Sequence, residues 1–237
     1  MDLYTKPSLY APLLNEGLDP DGWVMPTDQQ IEASREKYGG RILMESILQR
    51  ADAINQMGRV YPHAILKREF DIYEQFVGDR SAHGECNHPS ESVVDLERTV
   101  LIITKQWWKQ DQRTGCQEWW GEFEVLTNPL AMVVQHHIMD KVKFGISSRG
   151  LGSVEYNERQ KADVVQDDFV IIAFDIVSHP STHHAVPHIK PIMVKVDPFN
   201  PSIAEHKVYD RYQNNRLQML AERSNRSRSN MSELFLG

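Results

Sequence analysis

Residues Glu97–Trp108 (ERTVLIITKQWW) and Gln117–Thr127 (QEWWGEFEVLT) flank the polar link Lys109–Gly115 (KQDQRTG). Valine, isoleucine, threonine and the aromatics favour a pleated backbone, and a polar link ending in glycine supplies a turn, so the stretch predicts an antiparallel hairpin. Each arm carries a tryptophan pair, Trp107-Trp108 and Trp119-Trp120. Neighbouring side chains in a strand face opposite ways, so each pair sends one indole inward and one outward. Sheet packing is the expected use of these rings, ahead of a ligand platform.

Outward from the hairpin, Phe169–Val177 (FVIIAFDIV) is the most apolar run and reads as a strand with one charge, Asp175, inside it. Ile189–Val196 reads as another strand, and Arg41–Asn55 fits a strand or a helix. Helices are predicted at Asp28–Lys37, capped by Thr27 or Asp28, and at Ala64–Val77, striped by Ile65, Phe70, Ile72, Tyr73 and Phe76. Others are predicted from Pro129 to about Lys143 and over His206–Ser224. The fold class is therefore α+β, built on a mainly antiparallel sheet or barrel with helices around it. Residues 1–40, punctuated by Pro7, Pro12, Pro20 and Pro26, read as an N-terminal arm or pro-segment. Residues 41–200 form the main domain, and 201–237 a C-terminal helix and flexible tail.

At 237 residues the chain suits one domain with appended segments. Its 33 acids against 26 bases give a net charge of −7, which argues against nucleic acid as a general partner. No apolar run approaches the roughly 18–20 residues of a membrane span, and the first residues lack a signal-peptide layout. Two cysteines, Cys86 and Cys116, make no disulfide framework and point to a reducing compartment. No cofactor and no metal site is expected.

Three segments are out of character for a simple core. Gly84–Pro89 (GECNHP) is polar and turn-prone. Gly145–Gly152 (GISSRGLG) follows a helix and reads as a glycine-rich loop offering hydroxyls. Asp175 is a carboxylate in an apolar strand, where an unpaired charge is expensive. A serine, a histidine and an acid are the parts of a nucleophilic hydrolase, but almost any chain contains them. The bland readings are a turn histidine at His88, a loop hydroxyl at Ser147 and a buried salt bridge at Asp175. His179, His183, His184 and His188 fall in a stretch broken by Pro180 and Pro187 and read as solvated loop histidines, while His83, Cys86 and His88 could supply three metal ligands but have no apparent fourth nearby.

Several stretches taken together carry a resemblance. Gly84–Pro89 resembles the G-E-L-N-H-P motif of the prohead core proteases of myovirus-type tailed phages, with Cys86 at a usually apolar position. Gly145–Ser153 (GISSRGLGS) is similar to the nucleophile loop of that family, G-V-S-S-R-G-L-G-S. Asn55–Pro62 resembles its N-x-N-x-R-x-Y-P turn and Trp107–Lys109 its W-W-K strand end. Val94-Asp95 and Asp175-Ile-Val…Pro180-Ser181 follow in the family order. The match runs from about Arg41 to Ala185.

The resemblance implies a serine endopeptidase with a herpesvirus-assemblin-like β-barrel. It would act in the host cytoplasm, inside the immature capsid, on scaffold or core proteins and the major capsid protein. Ser147 would be the nucleophile, His88 the general base and Asp175 the third member. Ser148, Arg149 and Gly150 would form the oxyanion wall by backbone N–H groups or the guanidinium. A homo-oligomer is expected. The family resemblance also implies cleavage after apolar-x-Glu, and such triplets end at Glu16, Glu205, Glu222 and Glu233, so the chain is expected to trim its own arms. The competing readings are a catalytically silent scaffold or capsid-associated protein with this fold and a histidine-bound metal hydrolase.

Overall fold

The computed structural model describes residues 23–190. The four apolar-x-Glu triplets and the predicted helix at His206–Ser224 lie outside the described residues. Thr27 caps helix α1 (Asp28–Lys37): its hydroxyl accepts the Gln30 N–H, and the Gln30 side chain accepts the Thr27 N–H in return. Although read with the arm, α1 packs on the first strand. Ile31 and Ser34 are buried, and Ser34 Oγ accepts the Leu43 N–H at 2.8 Å.

The ambiguous run after Arg41 is a strand, β1 (Ile42–Arg50), followed by β2 (Arg59–Val60) and α2 (His63–Gly78). The face that α2 buries is Ile65, Leu66, Glu69, Tyr73 and Val77. The expected stripe is corrected accordingly, because Ile72 and Phe76 are exposed. Glu69 is accommodated there by accepting the Ile171 N–H at 2.9 Å. Next come β3 (His83–Gly84) and the predicted hairpin, β4 (Leu101–Gln110) and β5 (Gln117–Val125).

The hairpin register sets Trp107 opposite Trp120 and Trp108 opposite Trp119. Trp119 is fully buried against Phe70, Tyr73, Trp108 and Phe174, whereas Trp107 and Trp120 stack on the outer face. One indole of the Trp119-Trp120 pair is therefore inside and one outside, as alternation requires. Pro129 opens α3 (Pro129–Met139), capped by Asn128, and the chain continues through β6 (Gly145–Leu151), β7 (Val154–Asn157), β8 (Ala162–Val165), β9 (Val170–Val177) and β10 (His188–Ile189). The serine-bearing stretch is thus a strand, not a loop. Most of β6 pairs with β9 and therefore adopts extended backbone despite its glycines.

The result is an α+β fold of ten strands and three helices among the described residues, and no described helix is long and apolar enough to cross a membrane. The strands fall into three hydrogen-bonded sheets, β10-β1-β5-β4-β3, β2-β8-β7 and β6-β9, rather than one closed barrel. Two seams nevertheless join the first sheet to β6-β9. Beyond β3 the chain bridges to β9, with Ile176 N–H donating to Glu85 O and Asn87 N–H to Ile176 O, each at 2.8 Å. On the other side β6 runs beside β1, but a continuous backbone ladder is missing there. The segment 181–187 comes between: Ile146 N–H donates to Ala185 O, Thr182 Oγ1 to Gln49 Oε1 and Gln49 Nε2 to Ser148 Oγ.

Candidate active site

The antiparallel register of β6 and β9 sets Ser147 directly opposite Asp175. Facing partners in such a pair project on the same side of the sheet, so hydroxyl and carboxylate share a face. Ser147 is 3 % exposed and Asp175 is fully buried. The seam at β3 brings in the third group, with His88 Nδ1 2.8 Å from Asp175 Oδ2. Asp175 thus faces Ser147 across the strand pair and meets His88 across the bridged turn. Ser147 Oγ lies 3.3 Å from Ser181 Oγ, on the segment after β9.

The turn carrying His88 has an unusual backbone. Asn87 and His88 both have positive φ, 62° and 45°. Non-glycine residues rarely adopt this region, and each costs of order 1–3 kcal/mol that the surroundings must supply. Close packing beneath the turn leaves room for nothing but glycine at position 84, where a Cβ would lie 2.1 Å from Phe174 O.

Asp175 is held from three directions. Besides His88 it accepts the Glu85 N–H at 2.9 Å and Arg149 Nε–H at 2.8 Å. Burial pushes its carboxyl up, but the hydrogen bonds from His88, Glu85 N–H and Arg149, with the Arg149 charge, outweigh it and leave the pKa below the ordinary value. The Arg149 guanidinium lies beneath the site and is fully engaged. Its Nε faces Asp175, its Nη1 donates to Glu91 O at 2.7 Å, and its Nη2 donates to Glu85. Burial opposes its charge, yet Asp175 and Glu85 raise its pKa above the ordinary value.

Glu85, also fully buried, is the residue that sequence reasoning passed over. It sat inside the histidine motif, and the signal was a second acid beside a glycine that the fold buries. Ser148, the next predicted site residue, accepts Gln49 Nε2 at 2.9 Å. Gly150 lies past a register shift of β6 against the Phe169 ring, where a Cβ would approach within 2.6 Å.

Cys86 bridges Ile176 and packs against the core, the use an apolar residue would have there. Burial, then the charges of Asp175 and Glu85, push its thiol pKa up, so it stays protonated at neutral pH and makes a poor nucleophile. Both cysteines are free. Among the described residues no three histidines, cysteines or acids are arranged to hold a metal ion. His188 instead faces Glu45 at 3.0 Å and His179 faces Ser178 at 3.1 Å.

A serine opposite a buried acid that is itself bonded to a histidine Nδ1 is an arrangement suited to acyl transfer. Comparison with known proteins agrees with it. The sequence profile of the family described as prohead core protein serine protease matches residues 21–196. The prohead core protein protease of Enterobacteria phage T4 is 30 % identical over 155 residues, a span of 61 % of this chain and 66 % of that protein, just under two thirds of its length. The solved structure of the bacteriophage T4 capsid assembly protease superposes with a TM-score of 0.51 at 26 % identity, covering 57 % of this chain and 80 % of that one.

Proposed function

The chain belongs to the prohead core protein serine protease family, and on that premise we propose that it is the serine endopeptidase of a phage prohead, with Ser147 as nucleophile, His88 as general base and Asp175 as the acid behind it. The observation that carries this reading is the 2.8 Å contact between His88 Nδ1 and Asp175 Oδ2, with Ser147 opposite Asp175 on β6. The buried carboxylate holds the proton on Nδ1 and leaves Nε2 to accept the serine proton. Ser147 attacks the scissile carbonyl and an acyl-enzyme forms. His88 passes the proton to the departing amine, and water then releases the acyl group. The Ser147–Ser181 contact describes a resting hydroxyl that turns toward His88 when substrate enters.

For the oxyanion we favour backbone donors of Ser148–Gly150 over the Arg149 guanidinium, which already serves two carboxylates and a carbonyl. Ser148 N–H is the leading donor. Ile146 N–H points away from β9 to Ala185 O, and strand alternation sends the N–H two residues on to the same edge.

The substrates we assign are scaffold or core proteins and the major capsid protein, met inside the immature capsid in the host cytoplasm, with cleavage after apolar-x-Glu. Self-trimming at Glu16, Glu205, Glu222 and Glu233, within residues 1–40 and 201–237, belongs to the same reading, as does a homo-oligomer. The protease domain, residues 41–200, is assigned a herpesvirus-assemblin-like barrel. Two features support it: the Cys86–Ile176 bridge beyond β3 and the approach of β6 to β1, which bring the five-stranded sheet and the β6-β9 pair toward closure. The test is incubation of the purified chain with core protein, followed by mass spectrometry of the products. Wild type should cut and Ser147→Ala should not. Unchanged cleavage by Ser147→Ala overturns the assignment.

A further inference from the structure

Two acids and one arginine are buried together under the site, and general base catalysis by His88 requires only one of them, Asp175. Glu85 and Asp175 are both fully buried, and Arg149 is 8 % exposed. A buried carboxylate is costly unless paired and hydrogen-bonded, so a second one calls for a reason.

Its contacts supply that reason. Glu85 Oε2 takes Arg149 Nη2, while Glu85 Oε1 accepts the Asp95 N–H at 3.3 Å and lies 3.7 Å from Arg98 Nε. Arg149 Nη1 donates to Glu91 O at 2.7 Å. The segment that carries His88 is therefore tied down beyond the histidine at two points, Glu91 by Arg149 and Asp95 by Glu85. The same pair also grips the triad acid: Arg149 Nε faces Asp175 Oδ2, and the Glu85 N–H faces Asp175 Oδ1. The positive φ at Asn87 and His88 is the kind of local cost that persists only where the surroundings over-determine the turn.

We infer that Glu85 and Arg149 are positioning residues, a buried clamp that closes the His88 turn onto Asp175. The inference rests on the serine-protease reading proposed above. An ammonium in place of the guanidinium keeps the charge, but its three donors radiate from one nitrogen, whereas Asp175, the Glu91 carbonyl and Glu85 are met by three separate ones, Nε, Nη1 and Nη2. The charged and titratable groups facing Asp175 and Glu85 are His88, Arg149, Arg98, the Cys86 thiol and the Tyr73 hydroxyl. Asp175 and Glu85 are balanced in formal charge by Arg149 and Arg98, so the clamp acts by holding geometry.

Two variants separate positioning from mere support of the fold. Arg149→Lys should lower kcat about 10²-fold with little change in KM, since a base misplaced by about 1 Å loses that much. Glu85→Gln keeps the volume but offers one acceptor oxygen where Arg149 Nη2 and the Asp95 N–H use two, and should lower kcat in the same way. If both variants fold and keep wild-type kcat, the clamp is overturned. A second readout needs no turnover: the low-field Nδ1–H proton resonance of His88, recorded in a Ser147→Ala background. It should be present with the native pair and lost on Arg149→Lys, and its persistence overturns the clamp. If Ser147→Ala itself still cleaves, the nucleophile assignment fails instead, while the resonance judges the clamp separately.

Discussion

Replacing Asp175 with asparagine tests the site with almost no change in volume. The carboxylate is fully buried and accepts three short hydrogen bonds, from His88 Nδ1 and Arg149 Nε on one oxygen and from the Glu85 N–H on the other. An asparagine offers one acceptor and one donor in place of two acceptors. If its oxygen faces Glu85, its NH2 faces Arg149 and His88. The imidazole must then accept at Nδ1, carry its proton on Nε2, and so cannot take the serine proton. The reverse orientation preserves the tautomer but sets NH2 against the Glu85 N–H, an unsatisfied buried pair costing about 1–3 kcal/mol. The wrong tautomer in a serine–histidine–acid site lowers kcat about 10⁴-fold, or about 5 kcal/mol of barrier. Weakening the pairing of buried Arg149 should also cost about 3 kcal/mol of stability. The assay is kcat on a core-protein peptide, with thermal unfolding to establish that the variant is folded at the assay temperature. A folded Asp175→Asn variant with kcat within about tenfold of wild type would refute the reasoning.

Three further outcomes are expected. Cys86→Ala should cleave at about the wild-type rate, since the thiol packs on the core with a raised pKa; loss of activity with retained fold would point to a cysteine nucleophile instead. Gly84→Ala should lose about 3 kcal/mol or more in denaturant unfolding, because its Cβ would press on Phe174 O and on Leu101 Cδ1, 2.7 Å away. Acid should weaken the fold through Asp175. Its folded pKa is depressed, so its contribution is present above the unfolded carboxyl value of about 3.9 and is lost as pH falls through the folded value. The melting temperature should drop below about pH 4, and more steeply in wild type than in Asp175→Asn.

Much of this was legible because local chemistry and tertiary context agree. The tryptophan pairs gave the hairpin and the facing of Trp119 and Trp120, since strand alternation leaves one arrangement for a half-buried pair. Pro129 and Thr27 marked helix starts by chemistry that acts within a few residues. Gly145–Leu151 misled because its glycines and serines read as a loop, whereas pairing with the apolar β9 makes it a strand. The α2 stripe misled similarly, because Glu69 is buried by a backbone donor from β9 that local pattern cannot reveal. Ser147, His88 and Asp175 were named from motif resemblance. That Ser147 faces Asp175 depends on register, a long-range property. Glu85 and Arg149 escaped their present reading for the same reason, since nothing in either motif says that they meet.

The most direct measurement is the site of covalent labelling by a fluorophosphonate, read by peptide mass spectrometry on the full chain. The account predicts one adduct on Ser147, abolished by Ser147→Ala and sharply slowed by His88→Ala. An adduct on Ser181, or efficient cleavage of core protein by a chain whose Ser147 stays unlabelled, would contradict it.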